Sequence, residues 1–374
     1  MVRGLIVVVA ALSLCLTATA RATPPRVDAR AFVVANAATG EILAERNAAA
    51  RLPIASITKL MTVLVALEHL RLDEVVSVAA AAARVGESTI HLRAGERLTV
   101  RDLLKAALIQ SANDAADALA AAAAGGDTAR FVAWMNVKAQ ELGLRDTHFA
   151  RPDGLDASGH YSSARDVLRL ARVAMHTEAV REIVRERTDT IEGGRILHTW
   201  NDLLGTFPGL IGVKTGHTRA AGWCEVAAAR RSGYTIYTVI LGSPNRGERD
   251  ANLAALLEWG VSRFRVGPVI ASAQAYAEAD PGWGKPRLAL LAPQRLLRAY
   301  RVDRPLVQRI VAPAVVRLPV TRGQALGRIE VWEGKRLLGS RALVAARSIS
   351  RPGFGGRMRW YAGRTLHHVI GFFS

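Results

Sequence analysis

The chain has 374 residues, of which 50% are hydrophobic and 22% are charged, and its formal net charge is +18. This length favours two domains, and the composition excludes a disordered, collagenous or coiled-coil chain. The longest apolar run, Leu5–Leu16, is too short to cross a bilayer as a stable helix, which excludes a multi-span membrane protein.

Residues 1–22 have the pattern of an export signal. Arg3 precedes the apolar run Leu5–Leu16, and small residues in A-x-A spacing end at Ala22. A polar linker with two prolines follows, which favours a cleaved signal over a buried N-terminal strand. Cleavage removes Cys15 and leaves Cys224 as the single cysteine, so we expect no disulfide.

Strand and helix patterns alternate over residues 23–266. Two short strand-like runs within residues 31–45 are joined by a hairpin signal that ends at Gly40. The helices predicted after them are Ala55–Leu70, Leu103–Ile109 behind a capping box at Thr99, Asn113–Ala124, Ser163–His176 and Asp250–Phe264. The later predicted strands are Gly209–Lys214, Gly222–Ala229 and Tyr234–Leu241. Strands at both ends of a helical middle predict an α/β (α+β) fold with a largely antiparallel sheet flanked by helices.

Short Val, Ile and Leu segments separated by turns predict a small all-β domain over residues 267–346. The predicted strands are Ile270–Tyr276, Arg287–Leu291, Ala314–Leu318, Gly327–Glu333 and Arg336–Ala345. Residues 347–374 contain five arginines and no acidic residue, with apolar residues at three- and four-residue steps. This pattern predicts a basic amphipathic helix that associates with a membrane surface, and a helix docked on its own domain is the alternative.

Three short motifs carry the chemistry. Ser56 and Lys59 are three residues apart at the start of an apolar helix, so the amine can reach the hydroxyl. A neutral lysine is a competent base for serine, but it needs burial and a second cation to lower its pKa. Ser111 and Asn113 stand at the head of the Ala-rich helix, and Lys214 begins a K-T-G sequence at a strand end. Lys214 is the predicted second cation.

These motifs, S-x-x-K, S-x-N and K-T-G in this order, are a known signature set. The sequence resembles the serine-type D-alanyl-D-alanine carboxypeptidases, the low-molecular-weight penicillin-binding proteins. The resemblance covers residues 30–265 and rests on Ile54–Thr62, Ser111–Ala116, Pro152–Asp156, His160–Ser162, Asn201–Leu204, Gly212–Thr218 and Ala221–Gly222. It implies a β-lactamase/transpeptidase-like fold, with the all-β domain matching more loosely.

The resemblance also implies catalytic roles. Ser56 would attack the carbonyl of the penultimate D-alanine, Lys59 would act as the general base, and Ser111 would relay a proton to the leaving amine.

Substrate contacts are implied in the same way. Asn113 would bind the substrate backbone, and the Lys214–Gly216 strand would pair with it. The backbone amides of Ser56 and His217 would form the oxyanion hole. The residues expected to bind substrate are Asn113, Lys214, Thr215, Gly216, His217, Thr218 and Arg249, with Arg246 as the rival of Arg249 and a plain surface arginine as the further alternative.

We expect no cofactor and no metal, because the nine histidines show no ligand spacing. The expected partners are peptidoglycan stem peptides ending in D-Ala-D-Ala, β-lactams as covalent inhibitors, and an anionic membrane surface, but not nucleic acid. The expected location is the outer face of the cytoplasmic membrane. Two other functions remain open: a D,D-endopeptidase that cuts peptidoglycan crosslinks, and a penicillin-binding sensor without turnover.

Overall fold

The structure, a computed structural model, describes residues 23–231 and 233–370, so the predicted export signal at 1–22 lies outside the described residues. The chain divides into two compact units between Ser262 and Arg263. The boundary predicted after residue 266 therefore falls four residues too late, inside a strand of the second unit. Within the described ranges, no helix is both long and apolar enough to span a membrane.

The first unit contains helices and short sheets around one central sheet. Its helices are α1 (Lys59–His69), α2 (Val100–Lys105), α3 (Asn113–Ala123), α4 (Thr128–Glu141), α5 (Ala164–Ala174), α6 (Glu178–Ile183) and α7 (Arg246–Ser262). Its strands are β1 (Ala31–Asn36), β2 (Ile42–Arg46), β3 (Val75–Ser77), β4 (Arg97–Thr99), β5 (Thr188–Ile191), β6 (Arg195–His198), β7 (Leu210–Thr218), β8 (Gly222–Arg231) and β9 (Tyr234–Ser243).

The central sheet has the order β2-β1-β9-β8-β7, and all its pairs are antiparallel. Its side chains alternate between two buried layers, because successive residues of a strand point to opposite faces. Val33, Cys224 and Val239 belong to the core shared with α1, α3 and α5. The opposite face packs against α7, where Gly260 lies close to Val34 and Ile236. The predicted antiparallel sheet flanked by helices is confirmed.

Two local predictions differ from the structure around the site. The helix predicted at Leu103–Ile109 is the α-helix α2, capped by Thr99, followed by a π-helical turn at Ala106–Gln110. The strand predicted to end at Lys214 continues to Thr218 as β7. It continues because residues 214–218 pair with Gly222–Val226 of β8, a partner that a local pattern does not reveal.

The second unit contains an antiparallel five-stranded sheet, a two-stranded sheet and a C-terminal helix. Its elements are β10 (Phe264–Ile270), β11 (Ala275–Ala279), β12 (Leu288–Leu291), β13 (Leu296–Arg301), β14 (Leu306–Val311), β15 (Ala325–Glu333), β16 (Arg336–Ala345) and α8 (Phe354–Ile370). The sheets have the orders β11-β12-β16-β15-β14 and β10-β13. The strand predicted at Ala314–Leu318 is wrong: prolines at 313 and 319 flank it, and proline cannot donate to a strand ladder.

We expect Gly154→Ala to destabilise the first unit by about 2 kcal/mol or more. Gly154 has φ +86°, and a Cβ there would lie 2.2 Å from the backbone oxygen of Ala55, beside Ser56. Gly159→Ala is the matched control, because Gly159 also has a positive φ but its nearest neighbouring atom would be 3.7 Å from the Cβ. Chemical unfolding of both variants measures the difference, and equal losses of unfolding free energy would contradict the prediction.

Candidate active site

The first serine lies at a strained turn directly before α1. Ser56 is in the 3₁₀ turn Ala55–Thr58, and Ala55 has a left-handed φ of +49°. Non-glycine residues in this conformation are uncommon and cluster at functional sites. Lys59 is the first residue of α1, and its Nζ lies 2.7 Å from Ser56 Oγ. The S-x-x-K spacing therefore places a base in contact with the hydroxyl.

Lys59 is fully buried, and its amine is held from three sides. Its Nζ also lies 2.7 Å from Asn113 Oδ1 and 2.7 Å from the backbone oxygen of Asp153. Burial lowers the Lys59 pKa to about 8, against the opposing effect of Asp153 and Asp117. About one tenth of the amine is therefore neutral at pH 7 and about half at pH 8, far more than for an ordinary lysine, and this neutral form can act as a general base.

The second serine stands between the π-helical turn and α3. Ser111 has φ +62°, and Lys214 Nζ donates to its Oγ at 2.8 Å. Burial, and then the charge of Lys59, lower the pKa of Lys214 well below its usual range. Burial is the largest cause of the lowered pKa of both lysines, and repulsion between the two ammonium groups adds to the lowering at Lys214.

Asn113 supports this arrangement with both ends of its amide. Its Oδ1 accepts from Lys59, and its Nδ2 donates to the backbone oxygen of Gly86 at 3.0 Å. The backbone amide of Asn113 donates to Ser88 O at 2.7 Å. A primary amide has two donor hydrogens, so one hydrogen of Nδ2 is left for the predicted contact with a substrate backbone.

Strand β7 is the last strand in the order of the sheet, and it passes beside Ser56. A Cβ on Gly216 would lie 3.0 Å from the Ser56 amide nitrogen and 3.0 Å from Ile54 O. Glycine therefore permits the close approach of this strand to the nucleophile. As the last strand of the sheet, β7 has a free edge that can pair with an extended peptide, and Ser56 and His217 both line the pocket beside it.

These residues surround a pocket of about 390 Å³. Six of its lining residues were predicted from the sequence, namely Ser56, Ser111, Thr215, Gly216, His217 and Arg249. Four were missed, namely Glu87, Ser88, Trp200 and Trp223. Trp200 directly precedes the family-like segment 201–204, which was the available signal, whereas nothing in the sequence near Glu87 and Ser88 places them at the site.

Thr218 and Arg249, both predicted to bind substrate, differ in their position relative to the pocket. The Thr218 hydroxyl donates to Asp156 Oδ1 at 2.6 Å and accepts from Ala221 N, and Thr218 does not line the pocket. Thr218 thus closes the turn after β7, and its predicted contact with substrate stays a prediction. Arg249 lines the pocket, whereas its rival Arg246 forms a bidentate ion pair with Asp202 at 2.6 Å for each bond.

No group of three or more His, Cys, Asp or Glu side chains within residues 23–231 and 233–370 is arranged to hold a metal ion. Cys224 is fully buried, and burial raises its pKa to about 11, so it behaves as a small apolar residue of the core.

The family model described as D-alanyl-D-alanine carboxypeptidase matches residues 18–245, more than half of the chain. The chain belongs to this family. Among carboxypeptidases of the family, DacF of Bacillus subtilis (strain 168) is 31% identical over 340 residues, which cover 87% of each chain.

Solved structures agree with this assignment. The D-alanyl-D-alanine carboxypeptidase DacD from Francisella tularensis is 27% identical, with a TM-score of 0.64 over 89% of this chain and 96% of that one. Penicillin-binding protein D2 from Listeria monocytogenes, in an ampicillin-bound form, is 33% identical, with a TM-score of 0.59 over 64% of this chain and 99% of that one. The predicted β-lactamase/transpeptidase-like fold is confirmed.

For this carboxypeptidase we expect kcat for D-alanine release to rise with pH through about 8, because only neutral Lys59 can accept the Ser56 proton. Burial raises the Asp117 pKa to about 7, so Asp117 is largely ionised where Lys59 titrates. Since that charge favours the protonated lysine, Asp117→Asn should shift the rise to lower pH. The measurement is D-alanine release at saturating peptide between pH 6 and 10.

Asp73→Asn is the control for this profile, because the Asp73 side chain is 78% exposed and pairs only with another surface residue, Arg71. Its profile should match that of the wild type. An Asp117→Asn profile that also matches the wild type would show that Asp117 does not influence Lys59.

Proposed function

We propose that the protein removes the terminal D-alanine from peptidoglycan stem peptides through an acyl-enzyme on Ser56. The observation that carries this proposal is the 2.7 Å contact between Ser56 Oγ and the amine of Lys59, a buried lysine whose pKa is lowered to about 8. A serine hydroxyl becomes an effective nucleophile only when such a base removes its proton.

The reaction begins when neutral Lys59 accepts the Ser56 proton and Oγ attacks the carbonyl carbon of the penultimate D-alanine. The amides of Ser56 and His217 stabilise the oxyanion, and each such donor contributes roughly 3 kcal/mol in comparable sites. The C–N bond then breaks as the Ser111 hydroxyl gives its proton to the departing amine and takes up the proton that Lys59 had removed from Ser56, so that Lys59 is neutral again; Lys214 holds Ser111 in place by donating to its Oγ. Water hydrolyses the ester in a second step and restores Ser56.

Substrate binds along the outer edge of β7, as an added strand. Thr215 and Arg249 line the pocket and receive the terminal carboxylate in this proposal, with Lys214 next to Thr215 on β7, and Gly216 allows the scissile carbonyl to approach Ser56. Penicillins carry a reactive carbonyl and a carboxylate in a similar arrangement. We therefore infer that they acylate Ser56, which the ampicillin-bound form of the Listeria protein supports.

Ser56→Ala should lower D-alanine release from a soluble D-Ala-D-Ala peptide by more than ~10⁴-fold and abolish labelling by a fluorescent penicillin, because the acyl group has no other acceptor. Ser158→Ala, at an exposed loop serine, is the control and should retain both activities. Release that persists in Ser56→Ala would overturn the proposed nucleophile.

Three further outcomes separate the alternatives. If the wild type fails to release D-alanine but cleaves crosslinked muropeptides, the protein is a D,D-endopeptidase. If it is labelled by penicillin without turnover of either substrate, it is a sensor. If it is neither labelled nor active, the proposed function is wrong.

We also propose that the protein is exported and works at the outer face of the cytoplasmic membrane, held there by its C-terminal helix. The apolar side chains Phe354, Met358 and Tyr361 follow helical spacing on α8 and are 75%, 58% and 56% exposed. Arginines at 357 and 359 supply positive charge beside them. Apolar contact with basic residues gives the two signals that stable association with anionic lipid needs.

The alternative, docking of this helix on its own unit, also has support, because the Trp360 ring lies 5.1 Å from that of Trp283. The two ideas are compatible: Trp360 and one side of the Tyr361 ring contact Trp283, while Phe354, Met358 and more than half of the Tyr361 side chain stay exposed. The basic residues then face lipid headgroups together with these exposed side chains.

We expect the full chain without its signal to float with vesicles that contain anionic phosphatidylglycerol, and a chain ending at Ala346 to remain in the dense fraction. Arg357→Glu with Arg359→Glu should weaken flotation while leaving D-alanine release from a soluble peptide unchanged, because α8 is far along the chain from the catalytic residues. Equal flotation of the full and shortened chains would overturn the membrane proposal.

A further inference from the structure

A carboxyl group is buried behind the wall of the active-site pocket. Glu225 of β8 pairs with Thr215 of β7, so the two side chains share the face of the sheet that packs against α7. The Glu225 side chain is 0% exposed, and its Oε2 lies 3.2 Å from Nε of Arg249, a side chain that is 1% exposed. Arg249 itself lines the pocket. Glu225 therefore contacts the arginine from behind.

Within the described part of the chain, neither carboxyl oxygen of Glu225 has a hydrogen-bond partner of good geometry. A buried ionised carboxylate without hydrogen bonds is costly, whereas a protonated carboxyl group is tolerated. Burial raises the Glu225 pKa to about 8, and the opposing effect of Arg249 is smaller. Glu225 thus holds a proton at neutral pH and loses it in mildly alkaline solution.

The charged groups around Glu225 show what this proton changes. Arg249 donates to Asp250 at 2.8 and 2.6 Å and lies 3.6 Å from Asp202, which Arg246 also binds. Within this cluster, ionised Glu225, Asp250 and Asp202 carry three negative charges against the two arginines, and protonation of Glu225 balances them. Burial lowers the pKa of the nearby Lys214 well below its usual range, so it adds less positive charge than an arginine. The charged groups that face Glu225 are Arg249 and Asp250 from α7, Lys214 from β7 and Asp202 from the loop between β6 and β7.

We propose that Glu225 is a positioning residue that supports Arg249 at the carboxylate end of the pocket, and that its proton determines how strongly this end attracts an anionic substrate terminus. The inference rests on the proposed function, because it takes the substrate carboxylate to lie near Arg249. By linkage, the bound carboxylate and the Glu225 proton stabilise each other. Substrate affinity is therefore full below pH 8 and falls as the pH rises through about 8.

The test is direct binding to Ser56→Ala, which cannot turn the ligand over. A peptide ending in D-Ala-D-Ala should bind at least ~5-fold more weakly at pH 9.5 than at pH 6.5. The same peptide with a C-terminal amide should show a smaller change, because it has no carboxylate to be repelled. Calorimetry in buffers of different ionisation enthalpy should show proton uptake on binding of the carboxylate peptide near pH 8.

Glu225→Gln and Glu225→Leu in the Ser56→Ala protein form the matched pair. Glutamine is always neutral and keeps an oxygen for Arg249, so it should remove most of the pH dependence and keep the affinity measured at pH 6.5. Leucine is also neutral but lacks the oxygen, so it should weaken binding at every pH. Thermal unfolding of both variants shows whether they fold. Because Lys59 also has a pKa near 8, proton uptake is compared between Ser56→Ala and its Glu225→Gln variant, and it should be smaller in the latter.

An unchanged pH dependence in Glu225→Gln, or no proton uptake on binding, overturns the role of Glu225. D-alanine release and penicillin labelling by the unsubstituted protein are measured alongside. If the protein releases D-alanine while either overturning result is found, the inference about Glu225 alone fails. If it neither releases D-alanine nor is labelled, the proposed function fails, and the inference falls with it.

Discussion

The structure of the site depends on the burial of one lysine amine. An ammonium group in the protein interior loses its hydration, and its pKa falls unless opposite charges compensate for the loss. Lys59 is completely buried and bound by Ser56, Asn113 and the backbone of Asp153, so its amine has one position and a pKa near 8. Each element around the site contributes to this enclosure: α1 carries the lysine, α3 carries Asn113, and the loop before α5 provides the carbonyl of Asp153.

Strained backbone and close packing complete the geometry. Ala55 and Ser111 both have left-handed φ angles, and each stands where a helix begins or ends beside the pocket. Such conformations persist only when the surrounding core determines them, and buried residues of α1, α3 and the sheet form that core here. Gly154 and Gly216 let neighbouring segments approach the backbone around Ser56. The packing of these segments therefore fixes the position of Ser56. A methyl group added at either glycine would force the backbone next to Ser56 to shift.

The charged groups of the site form two sets, one on each face of the central sheet. On the face toward α1 and α3, Lys59 and Lys214 each contact a serine, and burial lowers both pKa values. On the face toward α7, arginine and carboxyl groups are paired around Arg249. Strand alternation separates these sets, since Lys214 and Thr215 are consecutive residues of β7. The separation is incomplete, because the charge of Lys214 acts on Glu225 and the charges of Glu225 and Arg249 act on Lys214, so the two sets of groups influence each other.

The sequence by itself determined the features that arise from local order. The S-x-x-K spacing places Ser56 and Lys59 on one helical face, Thr99 caps a helix, and apolar periodicity marks α3, α5 and the strands that meet in the sheet. Strands β13 and β14 of the second unit escaped prediction because charged residues interrupt their apolar pattern.

Only the tertiary structure decided which distant residues meet. The pairing of residues 214–218 with β8, the turn-closing role of Thr218, and the contact of Glu225 with Arg249 all join segments whose proximity depends on strand register and on the packing of α7. A single glutamate in the apolar run of β8 was visible in the sequence. The role of this glutamate beside Arg249 could not be predicted from the sequence, because the burial of its side chain and the charged group that contacts it depend on the folded core.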